Sequence, residues 1–129
     1  MPPGLSVMPF RFLLCLAVLC STPVHGQAAR PPFEAQLLRL SEILGALHHL
    51  RAICGAADAD AWRQRMEGVL EGEGADAEVK ARLAGAFNRG YRTFSLTYQR
   101  CTNEARRVEE SYLAEAGRIS RDVGSRYAN

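Results

Sequence analysis

Two thiols, a pair of histidines and a handful of arginines are the side chains of this 129-residue chain with chemistry to offer. Cys54 and Cys101 stand far from each other and from the N-terminal Cys15 and Cys20. No Cys-x-x-Cys redox pair occurs, so Cys54 and Cys101 are candidates for one structural disulfide. His48-His49 with Cys54 is the only grouping that resembles a metal site. Neighbouring side chains on a helix diverge by about 100°, and no second His or Cys group supplies the missing ligands. No metal is therefore assigned. There is no Gly-x-Ser-x-Gly elbow and no phosphate-cradling glycine loop, so no catalytic residue and no cofactor is assigned either. Paired cysteines would leave no thiolate nucleophile. The carboxylate pairs Glu109-Glu110 and Glu71/Glu73 either diverge on a helix or sit beside a loop.

Candidate binding residues remain. Arg51 lies within an apolar helix face between Leu47 and Cys54. It either snorkels at a helix end, where a cation suits the dipole, or anchors an anion. Asn88 and Arg92 are one helical turn apart beside Tyr91, an arrangement fit to brace a neighbouring helix or to bind a small anion or a partner. Trp62 and Arg63 repeat the pairing of an inward aromatic with an arginine on its rim. Charge is also segregated. Seven acidic and two basic residues run from Asp58 to Glu78, and five basic and no acidic ones from Val79 to Asn103. Either these segments answer one another, or Arg82, Arg89 and Arg100 face an anionic partner. The net charge of +2 calls for no nucleic acid.

The elements that position these residues follow from pattern. Met1 to Gly26 reads as a secretory signal: a lone Arg11, the apolar run Phe12 to Cys20, and small Val24 and Gly26 before the cut. Nine apolar residues are too few to span a membrane, which takes roughly 20. Cleavage near Gly26 places the chain in an oxidising periplasm, where disulfides persist, with no transmembrane segment in the mature protein. Residues 27–32 form a Pro31-Pro32 linker, and residues 33–129 one small helical domain. Phe33 to Cys54 has helical spacing, closed by Gly55. Asp58 or Asp60 caps a second helix from about Ala59 to Glu71, ended by Gly72-Glu73-Gly74. Asp76 opens a third helix, whose stripe runs through Phe87, Tyr91, Phe94 and Tyr98 to Cys101. Thr102 caps a fourth, reaching about Tyr127.

The expected fold is all-α, a small four-helix up-down bundle. Cys54 and Cys101 would end helices 1 and 3 at one pole, within reach of a bond. The apolar steps never lose phase across Thr102, so three helices with the last two continuous is the alternative.

The residues Cys54-Gly55, Asp60-Ala61-Trp62-Arg63, Phe87-Asn88-Arg89-Gly90-Tyr91-Arg92 and Tyr98-x-x-Cys101 resemble an uncharacterised family of small exported α-proteobacterial proteins. That resemblance implies a periplasmic address and no particular activity. The reading is thus a non-catalytic exported domain that binds an envelope partner, either a protein or an anionic component. The alternatives are a small hydrolase using a buried glutamate such as Glu109, and a small-ligand carrier with Arg51 as anion anchor.

Overall fold

The computed structural model describes residues 3–4, 33–72 and 76–127. The signal and linker expected over residues 1–32 lie outside the described residues, apart from residues 3–4, as do the residues just after Gly72. Four helices follow one another: α1 (Glu34–Ile53), α2 (Ala59–Gly72), α3 (Ala77–Thr97) and α4 (Asn103–Tyr127). Among the described residues there is no strand.

α1 is the axis of the bundle. It packs against each of the other three helices, and α2 also touches α3. This explains why its apolar residues are spread around it. Leu37, Leu40, Ile43, Leu44, Leu47 and Leu50 are all buried, as are Ser41, Gly45 and Ala46 between them. A helix covered on every side needs no polar stripe. The fully buried Ser41 is satisfied within its own helix, donating to the Leu37 carbonyl at 2.8 Å.

The crossing of α1 and α3 is set by two glycines. A Cβ on Gly45 would overlap the Phe87 carbonyl, and one on Gly90 would overlap the Glu42 carbonyl. Each helix therefore lays backbone into a notch of the other. Gly90 falls in the apolar stripe of α3; Gly45, its counterpart, stands amid leucines and alanines, where nothing in the sequence marks it.

Helix ends follow local chemistry where a capping residue is present. Asp76 accepts from the Glu78 and Val79 amides through Oδ1, at 3.0 and 3.1 Å. Thr102 Oγ1 accepts from the Ala105 amide at 3.1 Å and starts α4. Gly55, at φ 74°, closes α1. There the Ala56 amide reaches the Arg51 carbonyl and the Gly55 amide the Ala52 carbonyl, the pattern of a Schellman cap.

The end of α3 differs from expectation. Cys101 is not its last residue: the helix stops at Thr97, and residues 98–102 form a connector. α3 and α4 are thus separate, with no Gly or Pro at the break. Tertiary ties hold the connector out of the helix. Tyr98 is extended, at φ −117° and ψ 95°, and His49 Nε2 donates to its carbonyl at 2.6 Å. Three residues on, Cys101 is bonded to Cys54.

Candidate functional site

The pole where α1 ends gathers most of the residues singled out above. Cys54 caps α1 and is bonded to Cys101 of the connector, with Cα atoms 4.9 Å apart. One turn back, Arg51 reaches across the pole. Its Nε donates to Asp58 Oδ1 at 2.6 Å, just ahead of α2, and its Nη1 to Glu109 Oε1 of α4 at 3.1 Å. Its guanidinium also lies 5.9 Å from the centre of the Trp62 ring. One arginine thus joins α1, the α1–α2 turn, α2 and α4. Bonding to Asp58, then the fields of Asp58 and Glu109, raises the affinity of Arg51 for its proton against the effect of burial. The Arg51 bond in turn holds the Asp58 carboxyl below the usual range.

This arrangement bears on two chemical readings. Arg51 is engaged by two carboxylates, so its charge is spent within the fold. Glu109 is buried and its Oε1 is bonded to that same guanidinium. A carboxylate held this way is a structural anion; the pair does what a snorkelling last-turn cation does, with a buried partner added.

The two histidines are also structural ties. His48 Nδ1 donates to the Ala59 carbonyl at 2.9 Å, at the start of α2. Since a carbonyl only accepts, each ring nitrogen in these bonds must carry its proton. His49 is half-buried. The bridge itself held a clue. His49 lies five residues before Cys54 and Tyr98 three before Cys101, so pairing the cysteines brings the two segments near each other. Among the described residues, no three of His, Cys, Asp and Glu gather as a metal site would need.

Asn88, Tyr91 and Arg92 lie elsewhere, on the outer face of α3. Tyr91 is 41% exposed, with its ring 5.7 Å from that of His48 and 5.8 Å from that of His49. Asn88, Arg89 and Arg92 are exposed, and their side chains have no hydrogen-bond or ion-pair partner among the described residues. Leu96, 78% exposed, continues the face. Arg63 stands apart, on the exposed side of α2, bonded to Glu67 at 3.2 Å. Trp62 is buried on the other side of that helix, with Arg65 4.1 Å over its ring.

The charge segregation resolves residue by residue. Arg82 pairs with Glu34 of α1, outside the acidic segment, and with Glu78 one turn earlier in α3, so among the described residues Arg82 meets the acidic segment only at its junction with the basic one. Arg89 and Arg100 have no such partner among the described residues.

Residues 32–127 match a family described as "Protein of unknown function (DUF2385)". The chain belongs to that family. Its matched region covers all four helices, both bonded cysteines and the α3 face. No curated protein and no solved structure matches the chain. No described helix of this DUF2385 member is long and apolar enough to cross a membrane.

Proposed function

We propose that this DUF2385 protein is an exported, disulfide-tied helical domain that acts by binding a partner in the cell envelope, through the outer face of α3. The observation that carries the reading is a contrast in charge use. Arg39, Arg51 and Arg82 are each bonded to a carboxylate within the fold. Arg89 and Arg92, on one convex face with Asn88 and Tyr91, are bonded to none. Unpaired guanidiniums beside an exposed aromatic are the composition of a binding patch. The partner is a protein with an acidic patch or an anionic envelope component.

The periplasmic address rests on the secretory pattern of residues 1–26 and on the Cys54–Cys101 bond, which an oxidising compartment preserves. Fractionation of cells expressing the full chain tests it; retention in the cytoplasm with two free thiols would remove it. Periplasmic crosslinking followed by pull-down tests the patch, with Arg89→Ala and Arg92→Ala beside the unaltered chain. Both residues are exposed and unpaired, so the variants should keep the thermal midpoint and lose the captured partner. Undiminished capture of that partner would take the α3 face out of consideration.

A further inference from the structure

On the side of α1 away from the disulfide pole, α2 and α4 stand apart and leave a groove between them. Leu37, Leu40 and Leu44 of α1 form its floor; Val69 on α2, with Leu113 and Val123 on α4, form its walls. It consists of two adjoining hollows of about 470 and about 430 Å³ that share Leu40, Val69 and Ser120. The wall from Trp62 to Gly72 gives it a length of about 15 Å at the helical rise. Size and lining both fall within the range of a small-molecule site: mostly apolar, with a few polar groups.

The charged and indole groups belong to the hollow that Trp62 lines, and Ser120 is shared by both hollows. Arg65 lines the groove on the α2 side. On α4, the Arg121 guanidinium lies against Gly117, which lines the same hollow, within 3.3 Å of where a Cβ would stand. Neither arginine forms an ion pair among the described residues. Arg65 adds to the field that lowers Asp58, but the carboxylate of Asp58 is bonded to Arg51. In the same hollow, the indole Nε1 of buried Trp62 has no acceptor, an arrangement that normally costs stability.

We infer that this groove binds a single-chain anionic amphiphile, its acyl chain along Leu37, Leu40 and Leu44 and its head group between Arg65 and Arg121. Charge complementarity decides for this occupant. An apolar channel with the Arg65 guanidinium in its lining and that of Arg121 beside the lining residue Gly117 matches a long apolar chain ended by one anion. The inference goes beyond the α3 face and does not depend on it.

Trp62 is the only tryptophan and lines the groove, so its emission reports occupancy. The full chain is titrated with decanoate and with 1-decanol. Decanoate should shift the Trp62 emission saturably, at one molecule per chain. Decanoate should bind Arg121→Gln about tenfold more weakly, lacking one charge-assisted contact, and 1-decanol should bind the wild type more weakly still, having no charge for either arginine. Gly68 lines the groove with nothing near its would-be Cβ. Gly68→Leu should therefore fill the groove, raise the thermal midpoint and abolish decanoate binding, which separates blocking from unfolding. Decanoate binding left intact in Gly68→Leu would overturn the inference, as would 1-decanol binding as tightly as decanoate, or no saturable response. A wild-type dimer that Gly68→Leu turns into a monomer would also overturn it, and would assign the groove to a second copy.

Discussion

Glycine lies on two sides of α1 with opposite consequences. Toward α3, Gly45 and Gly90 are closed in by facing backbone, where a single added carbon would overlap a carbonyl. Toward α2 and α4, Gly68, Gly72 and Gly124 meet nothing within 4 Å. The first pair lets two helices touch backbone to backbone and sets one crossing. The second group lowers helix propensity with no packing in return, and leaves room between helices. The same residue is a lock on one side of the axis and an opening on the other. Bonded and close-packed contacts concentrate on the α3 side and at the disulfide pole. The arginines of the α3 face and of the groove are among the charges that form no ion pair with the described residues.

The comparison breaks most visibly at the pole. Replacing Cys54 and Cys101 together by serine releases a loop of 47 residues. The expected loss is about 4 kcal/mol on the chain-entropy account, read as a lower urea midpoint. That is a large share of the stability of a domain this size. The variant should also lengthen α3 toward Cys101, since the tie that keeps the connector extended is gone. A gain in helix content at low urea would show it. Next in size is Gly90→Ala, for which about 3 kcal/mol is expected because backbone and not a flexible side chain must yield. A loss of under 0.5 kcal/mol would mean that α1 and α3 can slide apart, and the lock would be no tighter than the groove.

Much of this was legible beforehand, and the exceptions share a cause. The helices at Phe33, Ala59 and Asp76 follow from apolar spacing written within a few residues, and the third also from its Asp76 cap; the carboxylate of Asp58, expected to cap α2, goes to Arg51 instead. The bond between Cys54 and Cys101 was expected from the count of cysteines beyond the N-terminal stretch and from their helical positions. The end of α3 does not, because nothing between Thr97 and Cys101 breaks a helix locally. His49, nearly fifty residues earlier, takes the Tyr98 carbonyl, and a wheel drawn for α3 alone cannot contain that. Arg51 was legible as unusual but not as a hub, since its partners Asp58 and Glu109 come from two other parts of the chain. The groove was not legible at all. It exists because α2 and α4 both lean on α1 and not on each other, a fact of packing that no single stripe records.

Acid sharpens the comparison at an intermediate scale. Arg39 of α1 grips Glu115 of α4 with two bonds of 2.9 Å, beside the Tyr112 ring. That bond holds the Glu115 carboxyl below its usual range, against the effect of burial. A lowered folded-state pKa stabilises fully above the unfolded value, near 4.3 for glutamate. The contribution is lost as pH falls through the folded value. Wild type and Glu115→Gln should therefore differ in thermal midpoint by a constant amount from pH 7 to about pH 5, then converge below about pH 4. The gap should correspond to under about 1 kcal/mol, since both side chains are partly open to water. A gap that persists at pH 2 would mean that packing and not charge joins α4 to α1.

The smallest effect has the opposite sign and tests the open side directly. Gly68→Ala adds a methyl to a helix interior where the structure leaves space. It also narrows the unfolded ensemble, so a gain of about 0.5–1 kcal/mol is expected. The same change at Gly45 should cost several times that, because there the methyl meets the Phe87 carbonyl. One substitution at two positions thus gives two signs, read in a single pair of urea titrations. If Gly68→Ala were also destabilising, α2 and α4 would have to close on each other in solution, and the groove between them would not be open to any ligand.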